Sequence, residues 1–167
     1  MAQTLASSEN SIHGLVQPNA GLGLAIVRVT IGAMLVSVFF ENLGKGLYSP
    51  ANYAGLINGY IQKGTAPAAW KSIMALTASH ASMAAPGQAV FEIGMGIILI
   101  LGFFSRPAAF IAFLYLLSLW VSEWGIGWVW ELLVPMMGAL GVSIGRGGRT
   151  LGIDAWLSKR LPASFWW

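Results

Sequence analysis

Residues 130–149 read WELLVPMMGALGVSIGRGGR, and the fold turns on them. An acid, Glu131, stands near the start of an unbroken apolar run. A basic, glycine-rich stop ends it at positions 145–149. Residues 91–106, FEIGMGIILILGFFSR, follow the same plan. Each stretch has an aromatic residue and a glutamate, then eight residues, then Leu-Gly, then an arginine about a turn later. Two such runs read as membrane helices pointing the same way, each with a carboxyl group at one depth.

Composition agrees. The chain has 167 residues, 56% of them hydrophobic and only 9% charged. Soluble domains carry about 25% charged residues, so this chain cannot cover a water-facing surface. The net charge of +3 sits in short flanks, a pattern of membrane orientation rather than of nucleic-acid binding. There is no cysteine, hence no disulfide, thiolate metal site or cysteine nucleophile. Two separated histidines, His13 and His80, do not make a bis-histidine haem. No Glu-x-x-His pair points to a di-iron site, so no metal or haem is expected.

Working outward, residues 1–19 form a polar tail without the basic, then apolar, plan of a signal peptide. Four spans follow, at about 22–42, 87–104, 107–124 and 128–145, near the ~20 residues a bilayer requires. The segment 46–86 is too polar to span. Tyr53, Leu56, Ile57 and Tyr60, and then Trp70, Ile73, Met74 and Thr77, recur at helical spacing there, which predicts two short interfacial helices. Ser105-Arg106-Pro107 and Gly125-Ile126-Gly127 are tight turns, with Pro107 suited to the first position of a helix. Tight turns join antiparallel neighbours, so the fold class is all-α, a polytopic membrane four-helix bundle. Residues 147–167 form an interfacial segment, where Asp154 can cap a short helix and Phe165, Trp166 and Trp167 sit at the lipid boundary. Arg146, Arg149, Lys159 and Arg160 flank the last span, placing both termini in the cytoplasm and 46–86 outside.

That topology puts Glu41, Glu92, Glu123 and Glu131, one per span, in the outer third of the bilayer. Glu92 precedes Arg106 by fourteen residues and Glu131 precedes Arg146 by fifteen, roughly 21 Å each at helical rise. A carboxyl there is costly and should face the interior. The stripes Glu92–Gly96–Leu99–Phe103, Glu131–Pro135–Gly138–Gly145, Arg28–Gly32–Leu35–Phe39–Asn42 and Ala108–Ala112–Tyr115–Ser122 are the expected packing faces. Glu92 and Glu131 are the candidate proton-exchanging groups. Two such carboxyls close together cannot both ionise cheaply. Arg28, Tyr115, Trp124 and Trp130 are the candidates for a quinone pocket. The plainer readings are dipole-stabilised acids, an arginine snorkelling to the membrane edge and an aromatic belt. The sequence GRGGRT at 145–150 follows a helix rather than preceding one, which suits a stop and an anionic-lipid contact, not a phosphate cradle.

Several of these features together resemble the DoxX/DoxD-like membrane family. They are the entry Leu24-Ala25-Ile26-Val27-Arg28, the exit at 41–45, Glu92 with Leu101-Gly102 before Arg106, the opening Trp130-Glu131, and GRGGRTLGID at 145–154. The long outer loop is similar to the DoxD type. The resemblance implies a small subunit of a thiosulfate:quinone oxidoreductase in a bacterial-type inner membrane, passing electrons from a periplasmic sulfur compound to quinone with other membrane subunits as partners. The alternatives are a non-catalytic accessory subunit packed on a larger respiratory or photosynthetic complex, and a small proton-coupled transporter built on the repeat.

Overall fold

The computed structural model describes residues 2–161, with side chains described from Ala20 onward. Phe165, Trp166 and Trp167 lie outside the described residues. The described residues form seven helices: α1 (Ala2–Gly44), α2 (Pro50–Lys63), α3 (Ala68–Ser79), α4 (Ala81–Leu101), α5 (Ser105–Ser122), α6 (Val129–Ile144) and α7 (Ile153–Arg160). Ala20–Gly44, α4 and α5 are long and apolar enough to cross a membrane. The fourth apolar helix, α6, has 16 residues and is about 24 Å long, shorter than the span 128–145 expected from hydropathy.

The four apolar helices close into a ring in which α1 packs on α4, α4 on α5, α5 on α6 and α6 on α1. The two broad contacts, α1 with α4 and α5 with α6, are those between sequence neighbours in the repeat. Ile31, Leu35, Leu99, Ala112, Leu116, Met136, Ala139 and Val142 fill the centre. Small residues set the approach of α1 to α4. A β-carbon on Gly32 would lie 2.7 Å from the carbonyl oxygen of Gly96, and one on Gly96 would lie 2.9 Å from that of Gly32. Outward, the helices present Ile26, Phe40, Val90, Phe110 and Val134, side chains suited to lipid.

The stripe expected on α1 holds through Arg28, Gly32 and Leu35, and that on α4 through Glu92, Gly96 and Leu99, all buried; Phe103, its last expected member, lies past the end of α4 and is exposed. On α6 the face is rotated by one position. Met136, Ala139, Val142 and Ser143 are buried, whereas Glu131 is exposed. Gly138 and Gly145 instead lie against Val27, Ile31 and Leu24 of α1. The reason is that α6 must serve two neighbours, and α5 takes the larger share.

The segment 46–86 folds as the two short helices its periodicity predicts. Ser49 caps α2 by accepting from the Asn52 amide, and Pro50 occupies the first turn, where no amide donor is needed. Tyr53, Ile57, Ala66, Met74, Ala81 and Ala85 pack α2 and α3 onto the start of α4. Thr65 N donates to Trp124 O at 2.7 Å, Tyr60 OH to Glu123 Oε1 at 2.8 Å and Trp70 Nε1 to Ser122 Oγ at 2.9 Å. These bonds pin the pair over the end of α5 and cover one mouth of the bundle.

The α4–α5 turn departs from expectation in detail. It begins with Gly102 in the left-handed region at φ 66°, and α5 starts at Ser105, placing Pro107 in its third position. Asp154 does not cap α7, whose N-cap has no side-chain bond. It accepts from Phe104 N at 2.9 Å and Ser105 N at 2.6 Å and so caps α5 from 49 residues away.

Candidate functional site

Beneath α2 lies a cavity of about 490 Å³. All four bundle helices or their ends contribute to its wall, as does α2. Its sides are apolar, with Met34, Leu35, Val38, Leu116, Leu119 and Leu132 prominent. Onto this surface open Glu41, Glu92, Glu123 and Glu131, the four carboxyls that the expected topology placed in the outer third of the bilayer. Among the described residues they do not gather into a group that could hold a metal ion.

The four are held differently. Glu92 has no exposure. Its carboxylate accepts from Asn42 Nδ2 at 3.2 Å, Gln88 Nε2 at 2.8 Å, Tyr115 OH at 2.5 Å and Tyr48 OH. A carboxylate has about four acceptor positions, and four donors meet them. The two phenols are themselves held by rings: Tyr48 stacks on Phe39 with centroids 5.6 Å apart, and Tyr115 packs on Phe91 at 4.5 Å. Glu123 accepts from Tyr60. Glu41 pairs with Lys45 at 2.5 Å on an exposed turn. Glu131 accepts no hydrogen bond among the described residues and is exposed. The two glutamates of the repeat therefore share a cavity but not an environment.

The field of these acids reaches the tyrosines of the cover. Burial pushes the Tyr60 phenol above its ordinary range, and the charges of Glu123 and then Glu131 push it further. Tyr53 moves the same way through burial and the Glu92 charge. Tyr48 does so through burial, its hydrogen bond to Glu92 and the Glu92 charge.

Of the candidate pocket residues, Tyr115 lies on the cavity wall and Arg28, Trp124 and Trp130 do not. Trp124 lines a separate shallow depression with Trp120 and Trp128, and Trp130 is 58% exposed. Arg28 sits at the far end of the bundle, fourteen residues before Asn42 on α1, about 21 Å along the helix. It does not snorkel. It has no exposure, and its guanidinium donates to Gly147 O at 3.1 Å and to Leu151 O. Gly102, Gly148 and Gly152 make room for this knot. A β-carbon at Gly102 or Gly152 would strike the Arg28 guanidinium, and one at Gly148 would strike Asp154 and Ser105. Residues 147–152, the end of GRGGRT and the two residues after it, together with Gly102, thus receive a buried arginine.

Sequence reasoning missed Tyr48 and Gln88. Gln88 was visible as the i, i+4 neighbour of Glu92. Tyr48 carried no signal beyond following the first span.

A family model described as DoxX matches residues 23–123. No curated protein and no solved structure matches the chain. The matched stretch runs from the first turns of the α1 span to the end of α5 and contains Glu41, Glu92, Glu123 and the cover. The chain belongs to the DoxX family of membrane proteins.

Proposed function

We propose that this DoxX-family membrane protein is the quinone-handling subunit of a membrane redox complex. The observation that carries the reading is the cavity itself: about 490 Å³, within the range of small-molecule sites, apolar at its sides and bordered by carboxyl groups. A quinone ring suits the leucine walls and the Tyr115 face. Reducing it to quinol takes two electrons and two protons. Glu131, with no hydrogen bond of its own, is the group open to exchange a proton at a ring oxygen. Glu92, already met by four donors, holds Tyr115 and Tyr48 in place. The electrons come from a partner subunit that carries the redox centre. The basic flank of α6 and α7 supports an orientation with both termini in the cytoplasm of a bacterial-type inner membrane, and the cavity toward the outer side.

The competing reading is a non-catalytic accessory subunit. It draws on Trp128, Trp130 and Val134, which face outward on one rim and suit a protein neighbour as well as lipid.

A photoreactive ubiquinone analogue in vesicles carrying the full protein separates the two. Labelled peptides from α4, α5 and α6, protected by excess unlabelled quinone and weakened in Leu119→Trp, are expected. Labelling that excess quinone does not compete, or that Leu119→Trp leaves intact, overturns the quinone reading. In membranes retaining the partner subunits, Glu131→Gln should keep the fold and abolish quinone reduction, because an amide keeps the size and hydrogen bonding of the acid but releases no proton.

A further inference from the structure

We infer that the cavity under α2 selects its ligand by charge, admitting single-armed lipophilic cations and rejecting anions of the same shape. The inference rests on the cavity being a ligand site, as the quinone reading requires, but not on the ligand being a quinone.

Three observations converge on it. The space is large and its sides are apolar, so an alkyl arm is at home there by the ordinary hydrophobic gain of about 0.8 kcal/mol per buried methylene. Against four carboxyls the wall offers one cation among the described residues, Lys45, and that ammonium is spent on Glu41. Glu92 and Glu123 are met only by uncharged donors, and Glu131 by none. No cation therefore offsets these three, and Glu131 has an acceptor to spare for a ligand ammonium. Finally, the rings of Tyr53, Tyr60 and Tyr115 line the same space, and aromatic faces attract alkylammonium groups. Burial is the main cause that raises the Tyr53 and Tyr60 phenols, and the charges of Glu92, and of Glu123 and Glu131, add to it in the same direction.

The consequence for chemistry is direct. An anionic sulfur donor meets three uncompensated acids in this cavity. If the complex oxidises one, that step belongs to a partner's site, and only the neutral quinone enters here.

The test uses two probes with one arm: dodecyltrimethylammonium and dodecyl sulfonate, each bearing the same diazirine in its chain. Both are photolysed with the full-length protein in nanodiscs of zwitterionic phosphatidylcholine. The cation should label α2, α5 and α6 saturably. Its half-saturating concentration should rise about tenfold in Glu131→Gln, the loss of one close charge–charge contact, since a trimethylammonium has no N–H to donate, while the sulfonate gives only unsaturable labelling. Glu131 is exposed, so this variant is expected to fold. Leu119→Trp should weaken cation labelling by narrowing the space. Equal labelling by cation and anion, no saturable cation labelling, or an unchanged Glu131→Gln curve each overturns the inference. Saturable cation labelling without competable quinone labelling leaves the charge selection standing and removes the quinone reading. The reverse result does the opposite.

Discussion

Glu92 and Arg28 are both wholly buried charged side chains in apolar helices, yet the protein treats them in opposite ways. Glu92 stands at the covered end, satisfied entirely by side chains on α1, the turn after it, α4 and α5, and one side of it faces an open cavity. Arg28 stands at the other end, bonded to main-chain carbonyls of the C-terminal segment, with glycines pressed around it. A charge that serves only the fold can be sealed by backbone, which has no chemistry to spare. The charge beside the cavity is held by side chains alone. The difference separates an end sealed by backbone from an end that borders a cavity.

The comparison is sharpest in loss of stability. Arg28→Met should cost the most, about 3–5 kcal/mol, because it leaves the buried carbonyls of Gly147 and Leu151 without their donor and removes the positive charge whose field reaches Asp154. Thermal unfolding in detergent should fall by roughly 10 °C. A shift under a few degrees would mean that the knot is not what holds the C-terminal segment. Glu92→Gln should cost less, about 2–3 kcal/mol. Its single amide oxygen cannot accept from four donors, and its amide group turns donors toward donors. If this variant were as stable as wild type, the four-donor arrangement would not describe the protein in solution.

Smaller effects test the edges of each node. Gly152→Ala should lower stability by about 1–2 kcal/mol, since its β-carbon would lie 2.7 Å from the Arg28 guanidinium. Unchanged melting would show that the cradle has slack. Tyr60→Phe should cost about 1 kcal/mol through the lost bond to Glu123 and should speed proteolysis within the cover more than elsewhere. Smallest of all, Glu131→Gln should change stability by less than about 0.5 kcal/mol. A large drop would return Glu131 to equivalence with Glu92 and restore the symmetry of the repeat.

Much of the bundle was legible because helical periodicity is a one-dimensional signal. The buried face of α1, that of α4 up to Leu99, the two helices of the cover and the matching positions of Glu92 and Glu131 all follow from spacing. What spacing does not carry is which neighbour claims a face. That is why the α6 face is off by one position and why Glu131 and Glu92, identical in sequence context, differ in burial. Arg28 was read as snorkelling or as a pocket residue because its partners, the carbonyls of Gly147 and Leu151, have no side-chain identity to recognise. Asp154 was assigned to the nearest helix, while the fold delivers it to α5. The tryptophans clustered in sequence at the ends of two spans, but Trp120 and Trp124 pack on each other at 5.2 Å beside a separate depression that Trp128 shares, and Trp130 is exposed.

The cap on α5 has a consequence in time rather than in space. Gly147 follows Arg28 by 119 residues, so at ordinary synthesis rates the ribosome needs roughly 6–24 s to deliver the acceptor after the arginine has emerged. Through that interval the first hairpin waits in the bilayer with a naked guanidinium, and α5 enters before its capping carboxyl exists. Assembly therefore finishes from the C-terminus. Nascent chains arrested before residue 147 should remain open to membrane proteases and chaperones until the last segment is released.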